Sequence, residues 1–372
     1  MGGEVKRVLI LWADRESANF GVRVLAEGTA SLARAAWGDS IEIDWQDSGQ
    51  GDSDVCFRTR SIASDLGRRT GLVKSKLRQY DVVIDTGAGD SFTDIYGFKR
   101  LARIVYVQRV ANRLGIPVAM GPQTVGPFDS SIGRFAARRC LSMRQLVLTR
   151  DPASAQCAEQ LGRKADSIST DVVFSLPEAE LGDARDVVIN ISGLLWSGNK
   201  HVDAENYRSR LLDLVAQLEH QGRDITLLAH VVAPRGTGKG DDDVYAIQEF
   251  KKAYGTDFDT IVPTTLEQVR STLSGANVLV GSRMHACLNA LSCGTPAIAW
   301  SYSRKFAPLM RDIGWEHVLD IVETATDITA QTLSLLSPQN QAKLREETLA
   351  VRSCAHRRLS VAVAALQGLD LT

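Results

Sequence analysis

The chain has no pair of cysteines at CxxC spacing. Its six cysteines, at 56, 140, 157, 287, 293 and 354, are scattered. That excludes a written-in zinc site or disulfide framework and points to reduced, mostly buried thiols in a cytoplasmic protein. Long apolar runs are also missing. The opening MGGEVKRVLILW passes straight into a strand with only about six apolar residues, too few for a signal peptide, and no later run reaches a membrane span. Lys6 stands where a myristoylation signal needs Ser or Thr. There is no excess charge of either sign: 43 Lys and Arg face 44 Asp and Glu, a net −1. No overall field draws in nucleic acid or an anionic membrane, so any affinity for anions has to be local. The glycine loop after the strand at 80–85, with Gly87 and Gly89, lacks the third glycine of GxGxxG, which leaves a dinucleotide site poorly supported. Three consecutive aspartates, Asp241 to Asp243, could hold a metal, but no His or further carboxylate stands at ligand spacing; a helix cap with first-turn acids, ahead of a helix over Val244–Tyr254, explains them as well.

What is present is a chain of 372 residues with 44% hydrophobic content, enough for two domains with their own cores. Strand, polar loop and helix alternate throughout. Val8–Trp12 reads as a buried strand and is followed by a loop carrying Asn19 and Gly21. Those two residues either line a ligand site or serve as a helix cap and turn glycine. A short strand is expected at Val55–Arg60. The strand YDVVID, 80–85, runs into a loop with Gly87, Asp90 and Asp94. The glycines permit close backbone approach to a ligand. The aspartates either bind a sugar hydroxyl or cap the helix beginning at Phe98. GPQTVGPF, 121–128, reads as a stiff loop with Gln123 and Thr124 as its polar tips, and Arg150 ends a later strand. The polar segment 177–186 reads as a linker, after which the alternation resumes. His230, in an apolar strand, reads as a hydrogen-bonded core histidine. These signals give an N-terminal Rossmann-like domain over 1–178 and a C-terminal one over 186–338. Terminal helices over 339–372 are placed to cross back to the first domain. The fold class is α/β, with two Rossmann-like domains facing across a cleft, the arrangement called GT-B.

The most informative stretch is GSRMHACLNALSCGTPAIAWSYSRKF, 281–306. It reads as loop, helix, turn, buried strand and basic loop. Arg283 and His285 then sit at a helix N-terminus, where unpaired N–H groups favour an anion. Lys305 returns from the next strand end.

In order along nearly the whole chain, these pieces resemble the polysaccharide pyruvyl transferase family. They are Asn19-Phe20-Gly21, the loop from Asp85 to Asp94, GPQTVGPF, Arg150-Asp151 with Ser154, Thr170-Asp171, and above all the R-x-H stretch ending at Lys305. The resemblance implies an enzyme that takes phosphoenolpyruvate as co-substrate, with no cofactor. It would join the pyruvyl carbon to two hydroxyls of a glycan sugar as a ketal. It implies His285 as general acid/base, with Arg283 also at the catalytic centre. Arg150, Ser282, Arg283, Met284 and Lys305 would lie around the donor. Asn19, Gly21, Gly87, Asp90, Asp94 and Gln123 are the acceptor-side candidates. The implied partners are phosphoenolpyruvate and a sugar or lipid-linked oligosaccharide, with peripheral membrane association through that acceptor and no nucleic acid. Two other classes stand beside this reading: a GT-B glycosyltransferase using a nucleotide sugar, and a non-catalytic relative that binds a glycan or anion. The chemistry suits the residues. A compact dianion needs several cations, and Arg grips carboxylate and phosphate in a bidentate way. A His titrating near neutrality can both give and take the proton.

Overall fold

The computed structural model describes residues 6–49, 53, 55–198, 202–234, 240–302, 306–323 and 327–369. They form two compact units. The first comprises Met1–Ser17, Val22–Leu176 and Ala355–Thr372; the second comprises Ala18–Gly21 and Pro177–Cys354.

The first unit is built on β1 (Arg7–Leu11), β2 (Glu42–Gln46), β3 (Val82–Asp85), β4 (Val118–Gln123), β5 (Leu146–Thr149) and β6 (Ser167–Ile168). Their order in the sheet is β2-β1-β3-β4-β5-β6, with every neighbouring pair parallel. Parallel strands covered on both faces need apolar residues at successive positions, and VLIL and VVI supply them. The connections leave β1 toward β2 on one side and return to β3 on the other, so the sheet's switch point lies between β1 and β3. Two sequence readings change here. Residues 55–60 form no strand; Phe57 is fully buried and helix Thr59–Leu66 follows at once. Gly121-Pro122-Gln123 is not loop but the end of β4, with a register shift against β5 between Met120 and Gln123. Gly121 fits there because an added Cβ would already stand 3.3 Å from Ile84 Cγ2.

The second unit repeats the plan with β7 (Arg185–Asn190), β8 (Ile225–Leu228), β9 (Asp259–Ile261), β10 (Ala276–Gly281), β11 (Ala297–Ser301) and β12 (Val318–Asp320), ordered β12-β11-β10-β7-β8-β9. All its pairs are parallel as well. Its switch point lies between β7 and β10, whose last residues, Asn190 and Gly281, are register partners. Ala18–Gly21 joins this unit through main-chain bonds: Phe20 N–H to the His230 carbonyl at 3.1 Å and Val232 N–H to the Ala18 carbonyl at 2.8 Å. The final helix, Pro338–Gln367, buries Leu344, Val351, Ala355, Leu359, Ala362 and Leu366 at helical spacing. No described helix is long and apolar enough to cross a membrane.

Candidate functional site

The second unit's switch point collects a buried polar cluster. β10 delivers Ser282 and Arg283, and helix Met284–Cys293 starts immediately, with Arg283 as its extended N-cap. Gly294 ends the helix in the left-handed conformation at φ +89°, a geometry glycine adopts without strain. His285 therefore sits in the first turn, beside the sheet's ligand-binding edge.

Arg283 is buried, and its charge is already answered. Nε and Nη2 donate to Asp243 Oδ1 at 3.1 and 2.6 Å, and Nη2 also meets Asp241. Burial pulls its pKa down, but the two carboxylates outweigh burial and hold it above the ordinary guanidinium value. Asp243 is itself fully buried. Its Oδ1 also accepts from Gly193 N–H at 2.8 Å, and its Oδ2 accepts from the N–H groups of His230 and Val231 at 2.9 and 3.0 Å. Asn190 completes the knot, accepting from Arg283 N–H at 3.1 Å and donating to the Leu228 carbonyl at 3.0 Å. The aspartate run is thus divided among three tasks. Asp241 pairs with Arg283, Asp242 caps helix Asp243–Tyr254 by accepting from Val244 N–H, and Asp243 ties β7, β8 and β10 together. Sequence reasoning treats all three as cap and first-turn acids. No local signal announces the partner of Asp243, because Arg283 lies forty residues on.

Next to His285 lies a second imidazole. Asn289 Oδ1 accepts from Arg270 at 3.4 Å, and its Nδ2 donates to the His285 carbonyl at 2.9 Å. The amide's donor end therefore faces His230 Nε2 at 3.2 Å, and that nitrogen accepts. Burial first, then the charges of His285 and Arg283, hold the His230 pKa well below its usual 6.5. His230 is a neutral, bonded core histidine linked to the His285 carbonyl through Asn289. Ser282 is buried and shares a 3.2 Å hydrogen bond with Tyr207, whose hydroxyl accepts from Ser192 N–H; burial pushes Tyr207 up to about 12.

Asn19 and Gly21 are expected on the first domain's acceptor side. The structure places both in the second unit, with Gly21 against the histidine. Asn19 Oδ1 accepts from Gly21 N–H at 2.8 Å. A Cβ on Gly21 would stand 2.7 Å from His285 Nδ1, so only glycine leaves room for the imidazole.

The remaining candidates lie in the first unit. Gln123 is no polar tip: it is fully buried, its Nε2 donates to the Asp85 carbonyl at 3.3 Å, and it fills the space a Cβ on Gly87 would need. Asp85 shapes the glycine loop, accepting from Gly87 N–H at 2.8 Å and pairing with buried Arg144 at 3.1 Å. Burial still raises its pKa. Asp94 does not cap the helix beginning at Phe98; it holds Ser130, the N-cap of helix Ser131–Leu141. It accepts from Asp129 N–H, Ser130 N–H and Ser130 Oγ at 3.0, 2.9 and 2.6 Å, just ahead of helix Ser131–Leu141. Asp90 accepts from the Tyr96 hydroxyl at 2.8 Å. Arg150 is buried and paired with Asp171 at 3.2 Å. A cavity of about 260 Å³ opens at the β1/β3 switch point, where Trp12 and Ala88 take left-handed φ values of +61° and +51°. Asp47, Ser48, Ser91, Arg100 and Arg103 supply its polar lining. Lys305 lies outside the described residues.

A family model described as polysaccharide pyruvyl transferase matches residues 19–304, from Asn19 through the whole His285 cluster. The chain belongs to the polysaccharide pyruvyl transferase family. The match stops one residue short of Lys305. Among curated proteins, the chain is 21% identical over 271 residues to the amylovoran biosynthesis protein AmsJ of Erwinia amylovora. That alignment takes in 68% of this chain and 64% of AmsJ, so the chain spans less than two thirds of that relative's length. Solved structures share the architecture at low identity. Acinetobacter baumannii MurG aligns over 98% of this chain and 100% of its own, at 14% identity and a TM-score of 0.52. The UDP-GlcNAc 2-epimerase of Neisseria meningitidis aligns over 96% and 100%, at 11% identity and 0.57. S. aureus MnaA aligns over 92% and 91%, at 11% identity and 0.58. These likenesses give this pyruvyl transferase family member the GT-B fold.

Proposed function

We propose that the protein transfers the pyruvyl group of phosphoenolpyruvate to two hydroxyls of a glycan sugar, forming a ketal and releasing phosphate. Family membership supports a glycan-modifying role, and the likeness to an amylovoran biosynthesis protein supports an exopolysaccharide setting. The observation that carries the reading is His285 in the first turn of a helix at the switch point, pressed against Gly21 and linked through Asn289 to neutral His230.

The reaction balances with one acid/base group. C3 of the enol takes a proton and becomes a methyl, and the first hydroxyl adds to C2 as it loses its own. The C2–O bond to phosphate then breaks as the second hydroxyl adds. Of the two hydroxyl protons, one replaces the proton given to C3 and the other leaves with phosphate. His285 serves as the donor and acceptor. The first-turn amide of Met284 and the helix end suit an anion. Nη1 of Arg283, which has no hydrogen-bond partner among the described residues, offers a further donor. Ser282 holds Tyr207 and the β7 loop rather than offering a free hydroxyl. Arg150 and Lys305 keep their donor-side roles as part of this proposal.

The test is acceptor-dependent phosphate release from phosphoenolpyruvate, with the product read by mass over a panel of synthetic hexose acceptors. His285→Ala is expected to lose about 10²–10⁴-fold in turnover while phosphoenolpyruvate still binds by calorimetry. Full turnover in that variant would remove His285 from the mechanism. Thermal stabilisation by a UDP- or GDP-sugar alone would replace the reading with a nucleotide-sugar transferase.

A further inference from the structure

Helices Phe98–Arg113 and Ser131–Leu141 of the first unit enclose a groove of about 480 Å³. Its apolar lining includes Phe98, Leu101 and Val105 from one helix and Ile132 and Ala136 from the other. The spacing puts each set on one helical face. Phe98 is 51% exposed, Ile132 70% and Phe135 69%. Large apolar side chains grouped in the open mark an interaction surface.

Charge says what covers it. The first helix carries five basic residues and the second three, and neither contains an Asp or Glu. This is a local concentration in a chain whose net charge is −1. Exposed Arg109 continues the stripe begun by Phe98, and exposed Arg139 continues that of Ile132, so each apolar stripe ends in a cation. A second copy of the chain fits poorly, because a two-fold contact would set this cationic face against itself. Apolar side chains rimmed by Arg match the boundary between acyl chains and anionic headgroups.

We propose that this face docks on an anionic lipid surface. Phe98, Ile132 and Phe135 enter the interfacial layer, and Arg109 and Arg139 lie at the level of the lipid phosphates. A glycan acceptor carried on a lipid would be presented at such a surface, but the docking does not depend on the donor being phosphoenolpyruvate.

The test is co-sedimentation of the full chain with vesicles of phosphatidylcholine alone, or of phosphatidylcholine and phosphatidylglycerol in equal parts. Binding is expected only to the anionic vesicles and should weaken with salt. Arg109→Ser with Arg139→Ser should lower affinity by about 30-fold, since each near-surface Arg contributes about 1 kcal/mol and tenfold corresponds to about 1.4 kcal/mol. Ile132→Ser with Phe135→Ser should lower it by about tenfold or more while keeping the salt dependence. All four positions are exposed, and unchanged thermal melts confirm the fold. Phosphate release with a soluble acceptor should stay at the wild-type level in both variants, which separates docking from catalysis. Equal binding to both vesicle types, undiminished binding by both variants, or self-association through this face would each overturn the proposal.

Discussion

Replacing Gly21 by Ala tests the site with a single methyl group. The added Cβ would stand 2.7 Å from His285 Nδ1, 3.0 Å from its Cγ and 3.1 Å from Asn19 Oδ1. Ordinary contact begins near 3.4 Å, so the imidazole has to retreat by about 0.7 Å. The backbone at Gly21 is not left-handed, and the position lies in helix Phe20–Trp37, where Ala is favoured over Gly by about 1 kcal/mol. Fold stability should therefore hold or rise slightly. Catalysis should fall, because a displacement of about 1 Å at a reacting group costs on the order of 10²-fold; a loss of about 10- to 100-fold in turnover is expected. Paired measurements decide it: a thermal melt for the fold, and acceptor-dependent phosphate release for turnover. Full turnover with an intact melt would refute the placement of Gly21 against a catalytic His285. A lowered melting temperature with proportionate loss of activity would show only that the segment is structural.

Asp243→Asn keeps the shape but turns an amide N–H₂ toward main-chain N–H donors or Arg283, leaving that guanidinium buried beside only exposed Asp241. A loss of about 3–5 kcal/mol in urea unfolding of the second unit is expected; a loss under about 1 kcal/mol would count against Asp243 as the knot of β7, β8 and β10. His230 has a folded pKa well below 6.5, so below that pH the unfolded chain binds the proton first. Stability should then fall by up to about 1.4 kcal/mol per pH unit as pH drops from 6.5 toward the folded pKa, and His230→Gln should flatten that slope in chemical denaturation. Arg283→Lys retains the charge but not the fork, and should destabilise by about 1–3 kcal/mol in the same assay because Nε and Nη2 both bond Asp243.

Much of this protein was legible before any coordinates. Apolar runs such as VLIL and VVI, short and bounded by polar loops, read as buried parallel strands, and their alternation with helices is enough for two doubly wound sheets. The sequence puts Arg283 and His285 at a helix start because Gly281-Ser282 precedes an apolar helical stretch and Gly294-Thr295-Pro296 ends it, all within a short span of chain. Local pattern is sufficient where the cause is local. It is insufficient for Gln123 and Asp94, which are used by distant partners, a glycine loop and the residue that caps another helix; Asp243 is the first-turn acid the pattern expects, and its bond to a guanidinium forty residues on is not in that pattern. Sequence position also groups Asn19 and Gly21 with β1 and the first domain. Only the tertiary structure sets Gly21 beside His285, because main-chain bonds from Phe20 to His230 and from Val232 to Ala18 pair that short segment with the end of β8. The chain order determined which residues stand at the sheet edges. Which of them meet was decided by hydrogen bonds and buried charges that have to be satisfied across long stretches of sequence.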